Sequence, residues 1–265
     1  MRTGKTTRVT FSADGSAIDI ALPSCWTDLS QEELRRIYEV VATVDRDKAT
    51  RLFAAFRALT GARVEARFEG RFLLRFKSGK HTRRVWVTPE DMAEHLEALA
   101  WINDPGEVPV RLERWGAPKS PRGVDPCLHG VSFGDYLKLE NLYQGFLSSG
   151  SPDALLSMAK LLYPGLVPRR PPSDAQILNV LSWVIQVKSL FSRSFPNFFK
   201  PAASNGSAPS MLEVMNNEIR ALTGGDVTKE DVIFRTDCWR ALTELDFKAR
   251  EAEEFNRQMA KSKKS

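Results

Sequence analysis

Three arrangements in this chain combine residue types that can do chemistry. Cys127-Leu128-His129 sets a thiol two residues from an imidazole, the pair that acyl transfer through a cysteine needs. Thiol and base must meet in space, however, and neighbours along an extended, proline-rich segment do not. Asp91 and His95 stand four apart, a spacing at which two metal ligands share one helix face. No second histidine or cysteine follows at ligand spacing, and His81, His95 and His129 are the only histidines. Gly4-Lys5-Thr6 has the ending of a phosphate-binding loop, which requires a glycine five residues earlier, a strand before and a helix after. A strand pattern follows it here, so that reading fails. The chain has no Gly-x-Ser-x-Gly elbow, no Cys-x-x-Cys and no glycine-rich dinucleotide turn. Glu90, Asp91, Glu94 and Glu97 gather on one predicted helix, where acids complement the helix dipole. These patterns argue against an enzyme and imply no cofactor and no metal site.

Two stretches offer surfaces instead of reactive groups. From Thr228 to Met259 the pattern predicts one long, charge-laced helix. Cys238, Leu242, Leu245, Ala249, Ala252 and Met259 recur at steps near three and four residues and draw a narrow apolar stripe. Glu244 with Lys248, Asp246 with Arg250, and Glu253 with Arg257 are four apart with the acid first, each pair supporting an isolated helix by about 0.2–0.5 kcal/mol. Leu242, Leu245, Ala249, Ala252, Phe255 and Met259 are therefore the candidate partner-binding residues. The second stretch, Arg63 to Arg84, holds eight Lys/Arg and two Glu. If Phe68, Phe72, Leu74 and Phe76 face the helices, alternation puts Arg67, Arg71, Arg75 and Lys77 on the opposite face. Such a stripe can track phosphates or meet an acidic partner. Trp86 is the one aromatic expected there, so base stacking is not anticipated. Trp183, Phe191, Phe195, Phe198 and Phe199 read as core packing.

The elements that position these residues follow from local signals. Arg8–Phe11 and Ala17–Leu22 read as a hairpin around Asp14-Gly15. Ser30 with Glu33 is a capping box opening a helix, and a second helix, from about Asp45 to Leu59, stops at Gly61. Strands return at 63–68, 71–77 and 81–87, with Ser78-Gly79-Lys80 as a turn, and Thr88-Pro89-Glu90-Asp91 starts a helix running to near Ile102. Residues 1–102 thus form an α+β domain, an antiparallel sheet with helices on one face. Residues 103–130 are a Pro/Gly-rich linker or wrapping arm, and 131–265 are a mainly α-helical region. Its helices are expected at 132–148, 152–163, 174–194, 210–223 and 228–260, interrupted at Pro164–Pro172 and Pro196–Pro209.

Lys and Arg number 38 against 33 Asp and Glu, an excess that permits nucleic-acid contact without demanding it. Three dispersed cysteines, Cys25, Cys127 and Cys238, suit a reducing compartment. No run is apolar enough to span a bilayer and no signal-peptide core follows the N-terminus, so a cytoplasmic protein that does not enter membranes is expected.

Leu22-Pro23-Ser24-Cys25-Trp26 with Leu29-Ser30, Glu140-Asn141-Leu142-Tyr143-Gln144-Gly145-Phe146, Ala159-Lys160-Leu161-Leu162-Tyr163, and Trp239-Arg240-Ala241-Leu242-Thr243-Glu244-Leu245-Asp246 form a set of phrases spread over most of the chain. Together they resemble prophage-encoded proteins of Bacteroides-type bacteria that stand among tail and structural genes. The resemblance implies a tail-assembly chaperone or other phage morphogenesis protein in the bacterial host cell, with a tail structural subunit as partner. It carries no catalytic pattern. The expectation is a non-enzymatic interaction or assembly factor, able to oligomerise. The alternative is a nucleic-acid-binding accessory protein using the basic sheet face.

Overall fold

The computed structural model describes residues 6–13, 16–44, 47–78, 81–104, 106, 108–116, 119–168, 170–200 and 211–262. The chain divides into two compact units, Met1–Glu113 with Arg170–Ser182, and Arg114–Arg169 with Trp183–Ser265. The division differs from the boundaries near 102 and 130 read from composition. Contacts distant in sequence cause the difference: Ala175 and Leu178 pack into the core of the first unit, and the Leu112 N–H donates to Asn179 Oδ1 at 2.8 Å.

In the first unit, β1 (Thr6–Ala13) and β2 (Ser16–Pro23) pair antiparallel, Ala13 opposite Ser16. Helix α1 (Gln31–Thr43) opens on the expected capping box, with Ser30 and Glu33 satisfying each other's backbone N–H. Helix α2 (Lys48–Thr60) is capped by the Asp47 side chain and ends at Gly61, whose φ of +69° suits glycine. Strands β3 (Arg63–Phe68), β4 (Arg71–Ser78) and β5 (His81–Val87) follow, then α3 (Pro89–Glu97) behind the Thr88 cap. A 3₁₀ turn, Ala100–Asn103, replaces the last turn expected of that helix. The strands form two sheets, β1-β2 and β3-β4-β5, where one was expected. Both bury an apolar face against the helices: the Phe11 ring lies 5.9 Å from Phe56 and 5.5 Å from Phe76, with Ile37, Leu74 and Val85 buried beside them. Asp14-Gly15, Gly79-Lys80 and Gly4-Lys5, singled out in the sequence, lie outside the described residues.

The second unit is helical: α4 (Phe133–Ser149), α5 (Pro152–Leu162), the later part of α6 (Asp174–Ser194), α7 (Met211–Thr223), α8 (Glu230–Arg235) and α9 (Cys238–Ser262). Most of the Pro196–Pro209 interruption lies outside the described residues. The long helix expected from 228 to 260 is broken between α8 and α9, because Thr236 turns extended. Asp237 then restarts the helix, its carboxylate accepting from the Trp239 and Arg240 N–H groups at 2.9 and 3.2 Å. The same carboxylate accepts from the Gly130 N–H at 2.7 Å.

Within this unit the irregular stretch 124–131 is fastened by side chains from two helices. The Trp183 indole N–H donates to the Pro126 carbonyl and the Trp239 indole N–H to the Cys127 carbonyl, both at 2.7 Å. Leu128 is fully buried with φ +64°, a left-handed conformation costing about 1 kcal/mol or more for a non-glycine residue. Its buried side chain offsets that strain. Tyr136, Phe191, Phe195 and Trp239 pack edge to face, centroids 5.2–5.8 Å apart; of the aromatic run read as core, Trp183, Phe191 and Phe195 are buried, whereas Phe198 and Phe199 are only half-buried.

Removing one of these anchors leaves a partly buried carbonyl without its donor, at a cost of about 1–3 kcal/mol. Trp239→Phe is expected to lower the urea midpoint accordingly. Asp237→Ala, which uncaps α9, is expected to cost about 1–2 kcal/mol by the same measurement.

Candidate binding surfaces

Strand β3 decides how charge is displayed on the first unit. Val64 pairs with Leu74 but Ala66 pairs with Leu73, so Glu65 is an extra residue, a β-bulge. Beyond the bulge Arg67 stands opposite Phe72, and Phe68 opposite Arg71. Directly paired residues share a face, so Arg67 lies on the helix side and Phe68 on the outer side. This reverses the assignment made by simple alternation. The Arg67 guanidinium sits 5.6 Å from the centre of the Phe72 ring, at the mouth of a cleft of about 540 Å³ that includes Phe53, Val64 and Met92. Phe68 is 64% exposed.

Arg71, Arg75 and Lys77 keep the expected outer face. The register adds Arg63 and Arg84, both opposite Arg75 from the flanking strands. Glu65 reaches across this row, its carboxylate 3.2 Å from Arg75 Nε and 2.6 Å from Arg84 Nε. The hydrogen bond from Arg84, with the charge of Arg75 added, holds the Glu65 carboxyl below its ordinary range.

The candidate stripe on α9 divides into three. Leu242 and Leu245 are buried in the unit's own core, where they hold α9 in place, and Leu245 also forms part of the floor of the cleft that follows. Ala249 and Ala252 line a cleft of about 720 Å³ with Leu137 and Tyr136 from α4, Val214, Met215 and Glu218 from α7, and Phe198 and Phe199. Phe255 and Met259 are 62% and 47% exposed, on a stretch of α9, 251–262, where every residue is exposed. Asp246 feels the charge of Arg250, as its spacing predicts, but its direct partners are elsewhere. It accepts from the Asn197 N–H at 2.7 Å, the Phe198 N–H at 3.0 Å and the Asn197 amide at 2.9 Å. Burial opposes ionisation of Asp246, but these bonds outweigh it and hold the carboxyl below the usual range.

The cleft walls are apolar, and most charges around them are already paired. Lys188 pairs with Glu140, Lys200 with Glu253, and Lys248 with Glu244 at 3.8 Å. Glu218 is the exception: burial, with the neighbouring Glu140 charge, pushes its carboxyl up to about 7. Neither Glu140 nor Glu218 was among the site residues expected from the sequence. Their signal was an acid inside an apolar stripe, Val214, Met215, Glu218 and Ala221 on α7, and Tyr136, Leu137 and Glu140 on α4.

The residues that first suggested chemistry have the following surroundings. Burial and the Asp125 charge push the Cys127 thiol up, away from the thiolate a nucleophile requires, and His129 stacks on Trp239 with centroids 4.6 Å apart. His95 packs edge-on against Phe11 at 4.4 Å. Among the described residues no three His, Cys, Asp or Glu side chains gather as a metal set, and no helix is long and apolar enough to cross a membrane. Compared with family models, curated proteins and solved structures, the chain matches none.

Because the raised Glu218 pKa means the folded state keeps a proton that the unfolded chain releases near 4.5, its contribution is fully present below that pH and is lost as pH rises through about 7. Stability is expected to fall over this window by about 1–3 kcal/mol. Glu218→Gln should flatten the decline, measured as urea midpoints at successive pH values.

Proposed function

We propose that this protein is a non-enzymatic interaction and assembly factor, and that its helical unit receives an amphipathic helix of a protein partner in the cleft between α4, α7 and α9. The observation that carries this reading is the cleft itself, about 720 Å³ and open between apolar walls. Self-pairing of its lysines with Glu140, Glu253 and Glu244 leaves little charge to recruit a polar ligand. An apolar helix face gains most by displacing water from such walls. Ala249 and Ala252 on one side and Ala221 on the other let a helix backbone approach closely. The stripe then continues along α9 through the exposed Phe255 and Met259, which extends the seam beyond the cleft.

A helix-receiving groove suits a protein that shields an apolar segment before assembly. Phage morphogenesis in the cytoplasm of the bacterial host, with a tail structural subunit as partner, is the setting that the resemblance implies and that such a groove would serve. Self-association through the same seam would give an oligomer.

Co-expression with the products of adjoining tail genes, followed by affinity purification, is expected to retain one of them. Ala252→Glu, on an exposed helix position, should reduce that retention at least tenfold while leaving the urea midpoint within about 0.5 kcal/mol. Retention of no tail protein by a stable monomer would sink the proposal, and so would equal retention by the variant.

A further inference from the structure

The outer face of β3-β4-β5 is a second surface, independent of the helical cleft. Its register fixes which side chains stand together. Phe68 lies beside Arg71; Ala66, Leu73 and Trp86 form the next row; Arg63, Arg75 and Arg84 the row after that; Lys77 and Thr82 the last. Phe68 and Trp86 are 64% and 40% exposed, and Leu73 is half-buried between their strands. An apolar diagonal thus crosses the sheet between Arg71 on one side and a row of three arginines on the other. Five cations, Arg63, Arg71, Arg75, Lys77 and Arg84, share this face with Glu65, which pairs with two of them, and Glu69 stands in the turn at its edge.

We propose that this face binds single-stranded nucleic acid, with bases stacked on Phe68 and Trp86 and phosphates held by the flanking arginines and Lys77. Three observations favour this occupant over an acidic protein or a duplex. Exposed rings on an antiparallel sheet are stacking platforms for unpaired bases. From strand spacing, the Phe68 and Trp86 positions are about 12 Å apart, so each ring can take a different base of one strand. Arg71 and Lys77 lie toward opposite ends of β4, and no carboxylate pairs with either among the described residues, which leaves them for a backbone running across the sheet. A duplex hides its bases and would gain nothing from the rings.

Glu65 has a defined part in this arrangement. It bridges Arg75 and Arg84, fixing two guanidinium planes in the middle row while cancelling only one of their charges. Both keep N–H groups beyond the Nε bonds for phosphate oxygens.

The test uses the full chain and fluorescence anisotropy of labelled oligonucleotides of about 12 nucleotides, with single-stranded DNA, single-stranded RNA and duplex arms. Binding to at least one single strand, tenfold or more tighter than to duplex, is expected. The arm that binds tighter identifies whether the sugar hydroxyl contributes. Phe68→Ala and Trp86→Ala should each weaken binding about tenfold. Arg71→Gln with Lys77→Gln should flatten the dependence of log affinity on log salt by about 1.4, at about 0.7 per phosphate contact on a single strand. Arg67→Gln is the discriminating control, because the bulge turns it to the helix side, and it should leave binding within about twofold. The idea fails if the ring variants bind as tightly as the parent. It fails equally if Arg67→Gln weakens binding as much as the outer-face pair, or if a polyglutamate of matched charge competes as well as the oligonucleotide. None of these outcomes depends on whether the helical cleft takes a protein partner.

Discussion

The second unit is organised around the need to satisfy backbone carbonyls of a loop set among helices. A helix bonds its own backbone, but the stretch 124–131 does so only in part, through the Leu128 and Val131 N–H groups, and each further carbonyl withdrawn from water without a donor costs free energy. The indoles of Trp183 and Trp239 meet that requirement, since each is an apolar ring with one N–H at its edge. The Trp239 ring joins the aromatic cluster of Phe191 and Phe195 and the Trp183 ring packs edge-on against Tyr163, while their N–H groups reach Cys127 and Pro126. Asp237 completes the fastening by capping α9 and holding Gly130 at once. The direction in which α9 leaves this junction follows from those bonds, and with it the wall that Ala249 and Ala252 contribute to the cleft.

An inserted residue plays the corresponding part in the first unit. Alternation along a strand is strict, so one extra residue moves everything beyond it to the other face. Glu65 is that residue, and its displacement of Arg67 and Phe68 turns a simple basic stripe into a mixed surface. The extra residue also supplies the carboxylate that ties Arg75 to Arg84. Geometry and electrostatics of this face thus trace to one position.

The two surfaces differ in physical character. In the helical cleft, charged groups are mostly paired and the walls are apolar, so water release from apolar area would dominate binding. Glu218 adds a dependence on pH, since its carboxyl holds a proton into the neutral range. On the sheet face the charges outnumber their partners and rings stand open, so attraction there would depend on salt. The two proposed engagements, with a protein segment and with a polyanion, thus rest on separate chemistries.

Much of this was legible along the chain. Ser30 with Glu33, Thr88 with Pro89, and Gly61 are signals whose physics is complete within a few residues, and the helices and strands stand close to where they indicate. The α+β character of the first part and the helical character of the second followed from the same local periods. The facing of β3 was half legible. A two-residue Glu69-Gly70 turn, both residues at positive φ, forces Phe68 and Arg71 onto one face, whereas the bulge that reconciles this with a buried-side Val64 depends on pairing with β4. The break at Thr236 had a local signal in Asp237, which caps the next helix through the Trp239 and Arg240 N–H groups, but the apolar period runs on across it, and the bond from Gly130 that also holds Asp237 comes from over a hundred residues earlier. Leu242, Leu245, Ala249 and Ala252 share one periodicity, and sequence alone cannot tell which of them the fold buries. That choice belongs to tertiary structure, since burial is a property of what packs against a stripe and not of the stripe.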